Sequence, residues 1–485
     1  MKNKTHFIII FLYTIIFFVS IACRSWKIDQ PIADWHSFRQ VDTASVARIF
    51  ADRGIDLLHP RYHDLSNIQS GKDNPEGWRM VEFPLYQGMA AFVYKTFPQF
   101  PIEFYLRLIT ILSSTLTGLF LGIMAARRTR QSIGVLTFFI YAILPFSIFY
   151  GRVVLPDPFM VFLAVLSLFI LDTESDSISW VRILISSCFA ALAILVKPQA
   201  AFLLLPVLVL SFKSPLKISQ FIKVLIWGVI AIVPFLLWRQ WILQYPEGIP
   251  AFDWLLNKND IRFKGAWFFW LFADRIGRLI LGYWGLIPFG LGLITITKKE
   301  GLFFRLLLLG SLLYLIIIAG GNVQHDYYQI LLLPVLSIYI AKGVSYLWMK
   351  KEQEVSTMWS RGVALLSLIF LFAFSWYTIR TYYWYRTDIV EAGKVADAMM
   401  PKDAKVITAF AGDTTFLYQT GRIGWPQNFD IDKKIAMGAT YYLTVSSLDT
   451  DMEAKELSEK YTVLAHTDAY TIIDLTKQKT GDMGQ

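Results

Sequence analysis

The residues most able to do chemistry lie in one short stretch, residues 34–48, which reads DWHSFRQVDTASVAR and follows the first apolar segment of the chain. It holds two carboxylates, a histidine and two arginines: Asp34, His36, Arg39, Asp42 and Arg48. Ionisable side chains are expensive near a bilayer, so their clustering where a chain leaves an apolar segment indicates a functional site. A structural interpretation is equally open, in which Asp42 caps an amphipathic helix over residues 43–53 on the membrane surface.

Two more acidic positions border apolar segments and allow two interpretations each. Glu82, in the run VEFPLY, either reaches back to water beside a second surface helix at residues 83–97 or takes part in catalysis. Asp157 lies between two prolines in GRVVLPDP and follows Arg152. These two residues either pair structurally or hold a polar ligand.

Two basic positions form the same kind of alternative. Lys197 interrupts the apolar stretch LVKPQA, where a cation needs an anion such as phosphate, or contact with water. His325 lies in NVQHDYYQ, where it could donate to phosphate or carboxylate, and Asp326 could cap the helix that follows. Both Lys197 and His325 are also compatible with a purely structural role.

A metal or other cofactor is not required by this pattern. His36 lies between Asp34 and Asp42, whose oxygens suit a hard divalent ion. No two histidines have the spacing of zinc ligands, and the chain contains no glycine-rich phosphate loop and no GxSxG motif. We therefore expect no obligatory cofactor, while a divalent metal stays an open alternative.

The composition tells what kind of protein must position these residues. Of 485 residues, 55% are hydrophobic and 17% charged, with a mean hydropathy of +0.47, which excludes an ordinary soluble enzyme and indicates a polytopic membrane protein. The net charge is +9, but the basic residues gather in short loops between apolar runs, so we expect no nucleic-acid partner.

About eleven apolar runs are long enough to cross or nearly cross a bilayer. They lie near residues 7–23, 102–124, 133–150, 157–171, 181–196, 199–212, 221–243, 278–296, 302–319, 328–348 and 361–379. Basic residues mark alternate loops as cytoplasmic: Lys2, Lys4, Arg127, Arg128, Arg130, Lys213, Lys217, Lys223, Lys298, Lys299, Arg305, Lys350, Lys351 and Arg361. Every candidate site residue then falls on the outer face.

Two domains follow from this pattern. Residues 1–380 form a transmembrane domain with a long first outer loop, residues 24–101, and residues 381–485 form an extracytoplasmic α/β domain. Within the second domain, the patterning predicts helices at 389–400, 414–420 and 452–461 and strands at 404–410, 439–445, 462–465 and 469–475.

The motifs together resemble a known group of proteins. The combination of HSFRQVDTASVAR, EFPLY, GRVVLPDPFM, LVKPQA, GGNVQHDYYQILLLPVL and GRIGW is similar to bacterial membrane glycosyltransferases related to the protein O-mannosyltransferases and the lipid A aminoarabinose transferase. The resemblance spans essentially the whole chain and implies the GT-C membrane fold. It also implies the bacterial inner membrane, with the active site and the C-terminal domain on the extracytoplasmic side.

The resemblance implies an inverting transferase that moves a sugar from a polyprenyl-phosphate donor to a protein, lipid or glycan acceptor. An acidic residue of the first outer loop would activate the acceptor. Since the motif reads HxxRQxDTA instead of the DE type, Asp42 is the first candidate for this base and Asp34 the second. Asp157 matches the second acidic position. Cations would stabilise the leaving phosphate, and substrate binding is assigned to His36, Arg39, Gln40, Glu82, Arg152, Lys197, His325 and Tyr328.

The main rival interpretation is a transporter or flippase for a lipid-linked sugar, because ionisable residues along membrane helices also mark substrate pathways. Transporters usually place their sites near the midplane and show repeated halves. This chain has no visible repeat, and its polar motifs cluster at one face, which favours the transferase. A structural envelope protein with a partner-binding tail is the third alternative.

Overall fold

The computed structural model describes residues 2–173, 178–212, 216–297, 299–349 and 357–479, with side chains from residue 6 onward. Four of the basic residues used to orient the chain, Lys213, Lys298, Lys350 and Lys351, lie outside the described residues. The side chains of Lys2 and Lys4 and the end of the predicted C-terminal domain, residues 480–485, also lie outside them.

The described part of the chain is mainly helical. Its α-helices are, in chain order, α1 (Lys2–Ser25), α2 (Ser37–Arg53), α3 (Leu85–Thr96), α4 (Ile102–Arg128), α5 (Gln131–Ile143), α6 (Pro145–Tyr150), α7 (Asp157–Leu171), α8 (Trp180–Val196), α9 (Ala200–Leu203), α10 (Val207–Ser211), α11 (Ile218–Trp241), α12 (Gly265–Phe268), α13 (Leu286–Ile294), α14 (Phe303–Ile317), α15 (Ala319–Gln324), α16 (Leu333–Met349), α17 (Thr357–Ile379), α18 (Thr387–Met399), α19 (Thr415–Gln419), α20 (Ile431–Ala436) and α21 (Met452–Lys460). A π-helix, Phe269–Ile280, precedes α13, and a 3₁₀ turn, Asp326–Leu332, leads into α16.

Several of these helices are apolar enough to lie in a membrane, as the composition predicts. Within the described ranges, five stretches are both long and apolar enough to cross it: His6–Ser25, Ile102–Arg128, Ile218–Gln244, Asp326–Met349 and Thr357–Met399. Four shorter apolar helices accompany them: α5, α7, α8 and α14. The predicted run at 133–150 is divided into α5 and α6 at Pro145, because proline lacks the amide hydrogen that an uninterrupted helix needs. The number of crossings stays a prediction.

The chain divides into two compact units. Unit 1 comprises Met1–Ile28, Arg107–Trp241 and Phe252–Thr381. Two of its helices, α13 and α16, approach closely at a pair of glycines. A Cβ on Gly292 of α13 would lie 1.9 Å from the carbonyl oxygen of Tyr339, and one on Gly343 of α16 would lie 1.7 Å from that of Pro288. Small residues at both positions are therefore what allows α13 and α16 to cross.

A buried arginine anchors the C-terminal end of α1 in unit 1. Arg24, at the end of α1, is fully buried and donates to the carbonyl oxygens of Tyr141 (3.0 Å) and Ala142 (2.8 Å) and to Ser147 (2.8 Å). These carbonyls lie at the C-terminus of α5, where the break at Pro145 leaves them without helical partners. The cation thus satisfies them and suits the negative end of the helix dipole.

Unit 2 comprises Asp29–Leu106, Ile242–Ala251 and Tyr382–Gln485. It contains a mixed sheet of β1 (Lys405–Ala409), β2 (Ile423–Trp425), β3 (Ala439–Thr444), β4 (Tyr461–His466) and β5 (Thr471–Gln478) in the order β2-β1-β3-β5-β4. Strands β1 and β2 and strands β1 and β3 pair in parallel, and β5 pairs antiparallel with β3 and β4. The predicted strands and helices of this region match observed ones within a few residues. The patterning did not predict β2 and α20, which are only 3 and 6 residues long.

The first outer loop contributes to this same sheet. Asp64 forms a parallel bridge with Gly424 of β2, in which Leu65 N donates to Gly424 O (2.8 Å) and Gly424 N donates to His63 O (2.9 Å). The Leu65 side chain is buried in the hydrophobic core with Trp425 and Ile407. The compact unit therefore joins residues 29–106 to the tail, whereas the sequence-based division assigned the loop to the transmembrane domain.

The helix that carries the motif differs from the expected surface helix. Helix α2 begins at Ser37, and its N-cap is His36 in the left-handed region (φ 54°). Asp42 lies inside the helix and is 2% exposed, so the prediction that it caps a helix is wrong. The helix expected over residues 43–53 is present but begins earlier, and only its second half reaches the surface: residues 43–47 are all buried, whereas residues 52 and 53 are exposed. Helix α3 is present where a second helix was predicted.

Candidate functional site

The candidate residues of the first loop all lie in unit 2, where Asp42 is held from two directions. Its Oδ2 pairs with Nη2 of Arg79 at 2.8 Å, and the side chains of these residues are 2% and 8% exposed. Its Oδ1 accepts a hydrogen bond from the hydroxyl of Thr414 at 2.7 Å, and Gln69 approaches Oδ2 at 3.5 Å. Both oxygens of Asp42 are therefore bound by side chains of its own unit.

Arg39 and Glu82 form a second buried pair in this unit. Nη2 of Arg39 lies 2.6 Å from Oε2 of Glu82, with 9% and 6% of the side chains exposed. The other Glu82 oxygen accepts from Gln87 at 3.2 Å, and Arg39 also donates to Thr43 at 3.3 Å. The alternative in which Glu82 reaches back to water is therefore wrong.

Asp34 lies in the non-helical segment that precedes α2, unlike Asp42. Its Oδ1 accepts a hydrogen bond from Nε2 of Gln40 at 2.7 Å, and its backbone carbonyl accepts from the amide of Ser37 at 3.0 Å. The residue is 5% exposed. Between the two aspartates, His36 makes edge contacts with the rings of Trp35 (5.0 Å) and Phe38 (5.7 Å).

A buried histidine, His63, contacts Thr414, the residue whose hydroxyl binds Asp42. Burial lowers the pKa of His63 to about 4, so its ring is neutral at pH 7. Its Nε2 lies 3.2 Å from the carbonyl oxygen of Thr414, which can only accept, so Nε2 carries the hydrogen. Burial raises the pKa of the neighbouring Asp64 to about 6, although the backbone amide of Ser66 donates to it.

The remaining candidate residues lie in unit 1, where Lys197 and Asp157 pair directly. Nζ of Lys197 lies 2.8 Å from both carboxylate oxygens of Asp157, and the side chains are 12% and 7% exposed. Asp157 is the first residue of α7 and Lys197 directly follows α8, so two helix ends bring them together. Lys197 also lies 5.8 Å and 5.7 Å from the ring centres of Tyr327 and Tyr328.

The HDYY segment completes the candidate group in unit 1. His325 stacks on Tyr327 (5.3 Å) and meets Trp254 edge-on (5.5 Å). Asp326 is the first residue of the 3₁₀ turn and accepts a hydrogen bond from the hydroxyl of Tyr150, while its capping role stays a prediction. Arg152 is fully buried and donates to the carbonyl oxygen of Lys27 at 2.9 Å.

Three residues of these clusters escaped the sequence analysis. Arg79 and Thr414 bind Asp42, and Tyr150 binds Asp326. Arg79 lies in a polar loop and Thr414 near a predicted short helix, so neither has a local pattern that would single it out. Tyr150 immediately precedes the GRVVLPDP run and could have been selected by that proximity.

Within the described ranges, no three or more His, Cys, Asp or Glu side chains are grouped so that they could hold a metal ion. The two cysteines, Cys23 and Cys188, are not paired with each other.

Comparison with known proteins agrees with the resemblance seen in the motifs. Residues 84–241 match the family model of dolichyl-phosphate-mannose-protein mannosyltransferases. None of the curated proteins compared with the chain matches it significantly. The family match includes Arg152, Asp157 and Lys197 and begins just after Glu82.

Three solved structures resemble the chain over nearly its whole length. ArnT from Cupriavidus metallidurans bound to undecaprenyl phosphate shares 13% identity with a TM-score of 0.64, over 98% of both chains. The Archaeoglobus fulgidus oligosaccharyltransferase AglB in complex with an inhibitory peptide and a dolichol-phosphate shares 10% identity, over 96% of this chain and 74% of that one, with a TM-score of 0.53. Arabinofuranosyltransferase AftD from Mycobacteria shares 14% identity, over 96% of this chain and 41% of that one, with a TM-score of 0.59. These similarities establish the GT-C fold.

Proposed function

We propose that this chain is a glycosyltransferase that moves a sugar from a polyprenyl-phosphate donor to an acceptor, with inversion at the anomeric carbon. The observation that carries the proposal is the match of residues 84–241 to a mannosyltransferase family, within a chain that has the GT-C fold throughout. Two of the similar structures hold a polyprenyl phosphate, namely undecaprenyl phosphate and dolichol-phosphate. A lipid-linked donor therefore suits this chain better than a soluble sugar nucleotide.

The proposed base is Asp34, although the sequence ranked Asp42 first. A general base must offer an oxygen to the acceptor hydroxyl within hydrogen-bonding distance. Both oxygens of Asp42 are bound by Thr414 and Arg79, and the residue lies within a buried helix. Asp34 lies in the non-helical segment before that helix, where its Oδ1 accepts a hydrogen bond from Gln40, a neutral side chain that an acceptor hydroxyl can replace more easily than it can replace the cation Arg79. Asp42 is then a structural anchor for α2.

In the proposed reaction, the Asp34 carboxylate accepts the proton of the acceptor hydroxyl while the hydroxyl oxygen attacks the anomeric carbon. The bond between that carbon and the phosphate oxygen breaks, and polyprenyl phosphate leaves. Lys197 is proposed to donate a hydrogen bond to the leaving phosphate and to stabilise its negative charge. Its ammonium group has three hydrogens, and Asp157 occupies two of them. Asp157 would orient the ammonium, and His325 would provide a further donor.

The test compares two asparagine variants of the full-length enzyme in purified membranes. Radiolabelled polyprenyl-phosphate sugar is supplied with an envelope extract as acceptor, and release of polyprenyl phosphate is followed. We expect Asp34→Asn to reduce turnover by about 10²–10⁴-fold, the usual contribution of general base catalysis. Asp42→Asn keeps an oxygen for Thr414 and should retain most of the turnover. The reverse ranking would make Asp42 the base.

A transporter of lipid-linked sugar is the less favoured function, because the similar folds named above are those of transferases. The same assay separates the two functions, since a transporter would move the labelled lipid without releasing polyprenyl phosphate. The loops rich in lysine and arginine support a cytoplasmic location for the opposite face. The proposed site therefore operates on the extracytoplasmic side of the inner membrane.

A further inference from the structure

Within unit 2, a short segment of the tail, residues 413–420, contacts residues 32–48 of the first loop at several points. We call it the clamp segment; it contains α19 and reads DTTFLYQT. Three of its side chains form hydrogen bonds with the first part of this stretch. Gln419 donates to the carbonyl oxygen of Ile32 (2.8 Å), Thr415 donates to the hydroxyl of Ser37 (2.9 Å), and Thr414 donates to Asp42 (2.7 Å). These contacts extend from two residues before Asp34 to eight residues after it.

The far end of the motif is held by the same segment. Arg48 donates to the carbonyl oxygen of Tyr418 at 3.2 Å, and its guanidinium lies 3.8 Å from the centre of the Tyr418 ring. Arg48 also pairs with Glu103 at 2.8 Å. Helix α2 is therefore attached to the clamp segment along most of its length.

The clamp segment is itself firmly anchored. Phe416 and Leu417 are fully buried in a hydrophobic cluster that includes Val406 of β1 and Ile389 of α18. The carboxylate of Asp413 accepts from the amide of Thr415 at 2.8 Å, which fixes the first turn. Loss of a single outward contact should therefore loosen the first loop locally without unfolding the clamp segment.

The beginning of the tail holds the backbone on both sides of Asp34. The amide of Trp35 donates to the carbonyl oxygen of Tyr382 (3.2 Å), and the amide of Arg386 donates to the carbonyl oxygen of Ala33 (3.2 Å). The rings of Trp35 and Tyr382 stack at 4.6 Å. Asp34 is thus the central residue of a tripeptide fixed at both ends by the tail.

We infer that the clamp segment is a positioning element for the proposed reaction, and that Thr414, Thr415 and Gln419 are positioning residues that fix the place of the Asp34 carboxylate. This inference rests on the proposed function. None of the three has to touch the substrate to act in this way. An error of about 1 Å in the position of a reacting group costs on the order of 10²-fold in rate. The tail domain would then set turnover as well as stability.

The first experiment compares two substitutions at one position in the full-length enzyme. Thr414→Val removes the hydroxyl and keeps the shape of the side chain, whereas Thr414→Ser keeps the hydroxyl. We expect Thr414→Val to lower kcat about 10–100-fold, with KM for the donor changed less than twofold. Thr414→Ser should restore kcat to within about threefold of the wild type.

A matched control separates positioning from stability. Leu457 of α21 is 8% exposed and belongs to the core cluster of the same unit that contains Tyr442 and Ile473, a cluster that includes none of residues 32–48. Leu457→Ala should lower the melting temperature of the unit at least as much as Thr414→Val does. We expect it to leave kcat within about twofold of the wild type when both are assayed below their transitions.

Hydrogen–deuterium exchange supplies a readout that does not depend on activity. Thr414→Val should speed exchange of the amides in residues 33–42, while the amides of β1 and β3 keep their protection. Unchanged kcat and unchanged exchange in Thr414→Val would overturn the inference, as would an equal loss of kcat in Leu457→Ala or in Thr414→Ser. A wild-type enzyme without transferase activity, whose exchange still responds to Thr414→Val, would instead refute the proposed function alone.

Discussion

The strongest quantitative prediction concerns Arg79, the residue that neutralises Asp42. The two side chains meet at 2.8 Å and are 8% and 2% exposed. Arg79→Met keeps the volume of the side chain and leaves the Asp42 carboxylate buried without its counterion. Breaking a buried pair from one side typically costs about 3–5 kcal/mol. The remaining hydrogen bond from Thr414 should place the cost near the lower limit, at about 3 kcal/mol.

The same loop contains a matched control pair. Arg61 lies 2.8 Å from Glu76, which equals the Arg79–Asp42 distance, but 34% and 56% of these side chains are exposed. Arg61 also lies over the ring of Trp78 at 4.4 Å, much as Arg79 lies over Tyr62 at 4.8 Å. An exposed pair contributes only about 0–1 kcal/mol. Arg61→Met should therefore cost far less than Arg79→Met, and burial is the reason.

The assay is thermal unfolding of the purified full-length protein in detergent, followed by intrinsic fluorescence. For a unit of this size, about 1 kcal/mol moves the melting temperature by roughly 2–4 °C. Arg79→Met should then lower it by about 6–12 °C, and Arg61→Met by less than about 4 °C. The double variant Arg79→Met/Asp42→Asn removes both charges and should recover most of the loss.

Two outcomes would refute this reasoning. If Arg79→Met and Arg61→Met lower the melting temperature equally, the Arg79–Asp42 pair is not buried in solution. If the double variant is as unstable as Arg79→Met alone, the loss does not come from an uncompensated charge. Transferase activity adds a separate readout, because the double variant should remain active if Asp34 is the base and lose activity if Asp42 is.

Three further predictions concern other parts of the chain. Lys197→Met should weaken binding of polyprenyl phosphate and destabilise the protein. Adding Asp157→Asn should restore the melting temperature but not the affinity for polyprenyl phosphate. Restored affinity in the double variant would exclude Lys197 from the phosphate site. His63 has a folded pKa of about 4 against an ordinary value of 6.5, so its contribution is complete above pH 6.5 and is lost as the pH falls to 4. The wild type should therefore lose up to about 3 kcal/mol more than His63→Gln between pH 7 and pH 4, and equal pH profiles would contradict this. Gly424→Ala would place a Cβ 1.8 Å from a carbonyl oxygen of β1 and should cost about 1–3 kcal/mol or more. Gly362→Ala, inside α17 and with no atom within 4 Å of the added Cβ, should cost nothing and could stabilise the helix by up to about 1 kcal/mol in the same unfolding assay.

The sequence alone determined the class of the protein and the position of its candidate site. Long apolar runs predict membrane helices because composition and length suffice for that inference. The motif stretch and the LPDP and LVKPQA runs stood out because ionisable residues beside apolar segments are rare and costly. Alternating strand and helix patterns predicted most elements of the tail, since their periodicity is local.

Only the tertiary structure decided which of these residues meet. Asp42 and Thr414 are 372 positions apart, and neither has a local pattern that requires the other. The association of the first loop with the tail sheet depends on Leu65 packing in a shared core and on one backbone bridge to Gly424, which periodicity cannot reveal. Asp34 replaces Asp42 as the proposed base for the same reason, because contacts between residues distant in sequence leave no local pattern. The sequence identifies the carboxylates, whereas the groups that hold each carboxylate depend on the packing of distant segments.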